Sequence, residues 1–412
     1  MLDIKYVREH PKEIEQAAKA KGVSISLDEL LQLDNQYRVV STRLQTLQQE
    51  KNQAAKTRDV EKGKKIKQDL TELTRQLEEI DEKRRLLLEN IPNPAKPDVP
   101  VGKDESENKV IKKFKEPTKF SFTPKDHLAL GEALDIIDVS MAAKISGSRF
   151  DYLKNEGVLL EQALKQLAFD VLLKEGFIPV IPPVLIKKEI MHALGYTAMG
   201  EAENIYEIAQ DDLYLVGTSE QSVVPLHMNQ TLRKEDLPRR YVGFSTCFRR
   251  ESGSYGKDTR GIFRVHQFNK VEMVSLVAEG QDDKEHEYLL SLEEKLFQML
   301  EIPYQVVLIC TGDLGFNAAR KYDIEAWIPS QQKYREVTST STTTDFQSRR
   351  LNMKYHDGNE KKYLQVLNGT AFSMNRPIIA ILENYQQEDG SVIIPAILQK
   401  YIGKTIIKPH TT

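Results

Sequence analysis

CFRRESGSYGKDTRGIFRVHQFNKVEM, residues 247–273, reads as two strand-like halves around a glycine-rich loop, GSYGKDTRG, and so as one long antiparallel hairpin. Five cations, Arg249, Arg250, Lys257, Arg260 and Arg264, fall within 16 residues of it. Alternation along a strand places some of them on one face with Glu251, Gln267 and Glu272. Cations beside carboxylates suit a site that holds a polyphosphate and an ammonium group. A solvated charged hairpin fits the same residue types equally well.

Around this hairpin, helix-like stretches (158–175 and 283–300) alternate with short β-branched or aromatic runs such as YLVGTS, YQVVLIC and YDIEAWI. Short strands without regular βαβ alternation predict an α+β domain, an antiparallel sheet flanked by helices. Two further stretches carry chemistry. In KYREVTSTSTTTDFQSRR (333–350), Glu336 and Ser339 offer oxygen ligands for Mg²⁺, although the Ser/Thr run by itself reads as a polar loop. In VLNGTAFSMNRPIIAILENYQ (366–386), Arg376 precedes Pro377, and proline favours the first position of a helix. An arginine there suits an anion or nucleotide, and serves more commonly as a structural cap or pair.

The N-terminal quarter differs in texture. Leu33, Tyr37, Val40, Leu44 and Leu47 recur at 4-3-4-3 spacing, as do Ile66, Leu70, Leu73, Leu77 and Ile80. Each set forms one stripe along a helix, and a polar break containing Gly63 makes the pair an antiparallel hairpin. Residues 51–67, at its tip, hold seven Lys or Arg against Asp59 and Glu61. Pro92, Pro94, Pro97 and Pro100 stop the second helix. The expected domains are a hairpin arm (1–100), a linker (101–126) and a catalytic domain (127–412).

The bulk composition excludes several classes. The net charge of -3 confines any nucleic-acid contact to a local patch. Cys247 and Cys310 are the only cysteines, which rules out a disulfide framework and points to a reducing cytoplasm. No apolar run is long enough for a membrane span, and the N-terminus lacks the apolar core of a signal peptide.

Taken in order, GFIPVIPPVL (176–185), the 247–273 hairpin and LNGTAFSMNRPIIAIL (367–382) resemble motifs 1, 2 and 3 of the class II aminoacyl-tRNA synthetases. YDIEAWIP, KYREVTS, TDFQSRR and a TSE triplet resemble the seryl members, and the heptad hairpin is similar to their tRNA-binding arm. The resemblance spans essentially the whole chain. It implies ATP-dependent activation of serine, with transfer to tRNA(Ser) and, where present, tRNA(Sec). It implies a serine site at Thr218, Glu220, Arg249, Glu272, Asn368 and Thr370. ATP would be held by Arg249, Arg250, Glu251, Phe268, Glu336, Val337, Thr338, Ser339 and Arg376, with Arg249, Glu251 and Arg376 catalytic. Glu336 and Ser339 would carry Mg²⁺, and motif 1 implies a homodimer.

The chain departs from the family pattern in GTAFSMNR, where Asn375 stands in a common glycine position beside bulkier Phe372 and Met374. STSTTT (339–344) replaces a cysteine-bearing stretch, and Arg250 replaces a smaller residue. Two rivals remain open: a ligase that loads a carrier protein, which has no need of a basic arm, and a non-catalytic paralogue, in which several of Arg249, Glu251, Glu272, Glu336 and Arg376 would be replaced.

Overall fold

A computed structural model of the chain describes residues 1–57, 59–198, 202–252 and 260–409. Arg58, Lys257 and the rest of the 253–259 loop lie outside the described residues. Packing divides the chain into two units, Met1–Pro94 and Ala95–Thr412.

The first unit contains α1 (Ile4–Glu9), α2 (Pro11–Ala20), α3 (Leu27–Thr57) and α4 (Val60–Glu89). At 1.5 Å per residue, α3 and α4 each reach roughly 45 Å. All ten heptad residues are wholly or partly buried, with Leu47, Ala54 and Ile66 forming a small core near the tip. The helices extend further into the polar stretch than its composition suggested. Lys, Gln, Ala and Glu are good helix formers, and Gly63 lies inside α4. The turn is set instead by Asp59, whose side chain caps α4 by accepting from the Lys62 amide at 3.0 Å. Asp34, buried on α3, pairs with Arg8 and with Arg84 of α4, each at 3.0 Å, and the Arg84 guanidinium covers the Tyr37 ring at 3.9 Å. That buried ion cluster fixes one register between the helices. α4 ends at Glu89, ahead of the prolines.

The second unit is built on an eight-stranded sheet. Its strands are β1 (Lys109–Phe114), β2 (Ile178–Val180), β3 (Arg239–Phe248), β4 (Gln267–Val277), β5 (Tyr304–Leu308), β6 (Arg320–Ile328), β7 (Lys333–Thr344) and β8 (Gln365–Ser373), in the order β1-β5-β6-β7-β8-β4-β3-β2. All neighbours are antiparallel except β2 and β3. The segment 101–126, expected as a linker, supplies β1, which pairs Lys109 with Leu308 at the sheet's edge. Helices α5 (Asn155–Lys174), α6 (Asp282–Met299) and α7 (Asn375–Asn384) pack over the sheet, where Phe297 of α6 meets Phe372 edge-on at 5.7 Å.

The Ser/Thr run is not a loop. Residues 338–342 lie within β7, flanked by β6 and β8. Thr338, Thr340 and Thr342 are buried, and the hydroxyls of the first two donate to the carbonyls of Thr370 and Asn368 on β8. Threonine therefore packs as a core residue here, because each hydroxyl is satisfied by the next strand.

Candidate active site

β4 and β8 alternate strictly up to a bulge. Val271 and Met273 join the core beneath, while Phe268, Lys270 and Glu272 line a cleft above, with Asn368 and Thr370 beside them. The β8 register slips at Ala371, which returns Ser373 to the cleft and sends Phe372 into the core. β7 carries a second bulge at Val337: Glu336 faces Glu325 of β6, and Ser339 faces Asp323. Three residues apart on a regular strand, Glu336 and Ser339 would point to opposite faces. The extra residue puts both on the cleft side.

The cleft holds about 490 Å³ and gathers residues from β3, β4, β6, β7, β8 and the start of α7. Its deep end is acidic. Lys270 Nζ lies 2.6 Å from Glu272 Oε2 and 3.2 Å from Thr218 Oγ1, and the Thr370 hydroxyl donates to Glu272 at 3.1 Å. Glu220, also buried, accepts from Tyr196 at 2.7 Å and from Gln347 at 3.1 Å. Burial, reinforced by the charge of Glu272, pushes its carboxyl up to about 7. Glu293 of α6 lies buried near Gly369, where an added Cβ would meet its Oε1 at 2.8 Å.

The other end is cationic. Arg249 donates to the Gly217 carbonyl at 3.2 Å and covers Phe268 at 5.5 Å. Arg376 reaches the carboxylate of Glu336 at 3.0 Å and its carbonyl at 2.9 Å. Glu336 opens onto the cleft, 40 % exposed. Its partial burial alone would raise the carboxyl, but Arg376, Lys321 and Arg249 together hold it at about 2. Glu251, at φ +51°, accepts from Arg264 at 3.1 Å.

Of the residues singled out in the sequence, Thr218, Glu220, Arg249, Glu251, Phe268, Glu272, Glu336, Ser339, Asn368, Thr370 and Arg376 all border this one cleft. Val337 and Thr338 border it too, though both are almost wholly buried. Arg250 does not: it lies just beyond β3, and its guanidinium donates to the Ile205 carbonyl at 3.0 Å and lies over Tyr206 at 5.0 Å. Sequence reasoning missed Tyr196, Lys270, Lys321 and Gln347. Lys270 alone had a local signal, two residues before Glu272 on one strand. Among the described residues no three His, Cys, Asp or Glu cluster as a metal site, and no helix is long and apolar enough to cross a membrane.

Residues 1–95 match the seryl-tRNA synthetase N-terminal domain, and residues 204–385 match the class II tRNA synthetase core domain (G, H, P, S and T). Serine--tRNA ligase of Thermobifida fusca is 44% identical over 421 residues, 99% of each chain. That of Acidothermus cellulolyticus is 45% identical, covering 99% of this chain and 100% of its own. Seryl-tRNA synthetase of Pyrococcus horikoshii, solved in complex with ATP, superposes with a TM-score of 0.94 at 40% identity over 100% of both chains. The cytoplasmic serine-tRNA ligase of Naegleria fowleri, solved with AMP, gives 0.90 at 30% identity, covering 100% of this chain and 99% of its own. Matched by both domain models and, along essentially its whole length, by these relatives, the chain belongs to the seryl-tRNA synthetase family, the serine--tRNA ligases.

Proposed function

We propose that this serine--tRNA ligase divides its labour between the two ends of the cleft, with the tRNA grip in residues 1–100 and the chemistry in 127–412. The observation that carries the reading is the segregation of charge on one sheet face. Buried carboxylates Glu220 and Glu272, with Thr218, Asn368 and Thr370, suit the ammonium and hydroxyl of serine. Arg249, at the cationic end, suits the serine carboxylate and the α-phosphate together. Phe268 offers a face for adenine, Arg376 orients the phosphates, and Glu251, held by Arg264 at 3.1 Å, offers an acceptor to a donor group of the nucleotide. The serine carboxylate attacks the α-phosphorus and pyrophosphate leaves. The terminal ribose hydroxyl of tRNA then attacks the seryl-adenylate and AMP leaves. Positioning and charge neutralisation supply most of the acceleration.

Glu336 and Ser339 fit Mg²⁺: they share one face, their ligand atoms are oxygens, and Glu336 stays ionised at any physiological pH. Glu336 and Ser339 would hold such an ion, which would supply charge neutralisation for the leaving pyrophosphate. The exposed apolar residues Val158, Leu159 and Leu173 on α5, Ile178 on β2 and Ile181 beyond it support a homodimer through motif 1. Lys51, Lys56, Lys62, Lys64, Lys65 and Lys67 of the arm are all exposed, which supports phosphate contacts with tRNA(Ser) and with tRNA(Sec) where present. The cytoplasm is the proposed location.

Incubation with bulk tRNA, labelled serine, ATP and Mg²⁺ tests the reading. Charged tRNA sustains it. Serine-dependent pyrophosphate exchange without charging indicates a carrier loader, and silence in both a non-catalytic paralogue. The pH dependence gives a finer test. Glu220 must be ionised to accept from serine, and it loses its charge as pH falls through about 7. The KM for serine is therefore expected to rise below that pH by nearly tenfold per unit, with Glu220→Gln abolishing the trend. A flat profile in the unaltered enzyme would remove Glu220 from the serine site.

A further inference from the structure

Helix α7 presents Arg376, and it also anchors a grip on the motif 2 hairpin. Ile262, wholly buried, is held at both polar atoms of its backbone. Its N–H donates to Nε2 of His127 at 3.3 Å, and its carbonyl accepts from Nδ2 of Asn375, the first residue of α7, at 3.3 Å. Both bonds are at the long end for N–H donors, so each alone is weak. His127 is tied back to the same helix: its ring Nδ1 and its backbone N–H reach Glu383 Oε1 at 3.1 and 3.0 Å. Because Nε2 accepts from Ile262, the ring proton sits on Nδ1 and is donated to Glu383. The second oxygen of Glu383 accepts from the Ser330 amide at 3.0 Å, and Asn375 Nδ2 also reaches Asp151 Oδ1 at 3.3 Å. The fit leaves no slack, since a Cβ on Gly261 would lie 2.1 Å from His127 Nε2.

The two residues after Ile262 belong to the nucleotide end of the cleft. Phe263 lies under the Arg376 guanidinium at 5.1 Å, and Arg264 pairs with Glu251 at 3.1 Å. We propose that His127, Glu383 and Asn375 are positioning residues, a two-jaw clamp on Ile262 that holds the motif 2 hairpin to the Arg376 helix so that Phe263 seats Arg376. The proposal rests on the reading of Arg376 as an ATP residue. It excludes the serine pocket at Thr218, Glu272 and Thr370, which none of the clamp's hydrogen bonds touches.

Asn375→Ala and His127→Gln, singly and combined, test it by serine-dependent exchange with ATP and serine titrated separately. Each single variant is expected to raise the KM for ATP about tenfold, the loss of one buried hydrogen bond, with the KM for serine within about twofold. The double variant is expected to add little, since one open jaw already frees Ile262. Should His127→Gln fail to fold, Asn375→Ala alone decides. A folded Asn375→Ala enzyme with unchanged KM for ATP, or with both KM values rising together, overturns the clamp. Arg376→Ala is assayed alongside: if it leaves ATP binding intact, the fault lies in the nucleotide assignment; if it acts as expected while the clamp variants do nothing, the fault lies in the clamp.

Discussion

Arg376→Ala is expected to lower serine-dependent ATP–pyrophosphate exchange by about three orders of magnitude while the protein stays folded. Two losses combine. A cation aimed at developing phosphate charge in a protected cleft is worth about 10²–10³ in rate. The same guanidinium also holds Glu336, at 3.0 Å, and leads the cations that keep that carboxylate near 2. Without it, a carboxylate proposed for Mg²⁺ keeps only Lys321 and Arg249 as compensation. Arg376→Lys restores the charge without the planar fork and is expected to recover only part of the rate. The KM for serine should change little in either variant. Exchange within a few-fold of the unaltered enzyme would exclude Arg376 from the nucleotide site.

Removal of residues 28–90, with the ends joined by a short glycine linker, is expected to leave exchange within about twofold and to reduce tRNA charging by at least three orders of magnitude. The first part rests on the division of the chain between Pro94 and Ala95, since the cleft draws every residue from the second unit. The second rests on electrostatics. Every phosphate–lysine pairing contributes affinity and one increment of salt dependence, and the deletion removes the six exposed lysines of the tip together. A gentler variant, Lys62, Lys64, Lys65 and Lys67 all to Ala, should weaken charging and flatten its dependence on salt. Charging preserved after the deletion would place the tRNA grip elsewhere.

The parts of the fold with their own periodicity were legible in the sequence. The heptad stripes gave both arm helices, because apolar spacing of 3.5 residues is visible without any partner. The antiparallel pairing of β3 with β4 was legible because the two strands are consecutive in the chain, but they stop at Phe248 and resume at Gln267, so the cations from Arg249 to Arg264 lie outside the ladder on which alternation would have placed them. Gly63 suggests a break in the sequence, but it lies inside α4, whose start is marked by the capping carboxylate of Asp59. In the sequence STSTTT reads as a loop, because a run of hydroxyl side chains looks the same whether a strand is buried or not. Only the neighbouring strand, whose carbonyls take the threonine hydroxyls, distinguishes the cases. Tyr196 and Gln347 could not be found at all. They converge on Glu220 from positions 24 residues before it and 127 after it, and no local pattern encodes such a meeting.

Val337 makes the cleft a matter of parity. Residues on either side of the bulge obey opposite odd–even rules, and Glu336 and Ser339 share a face only because one uncounted residue stands between the two rules. Loss of that residue would leave a continuous hydrogen-bond ladder and a sensible strand composition. Yet it would deliver the Glu336 carboxylate to the apolar side, or turn Ser339 and Ser341 inward and Thr340 outward. A change of one in the number of residues along β7 therefore disturbs the cleft as surely as the exchange of Glu336 itself.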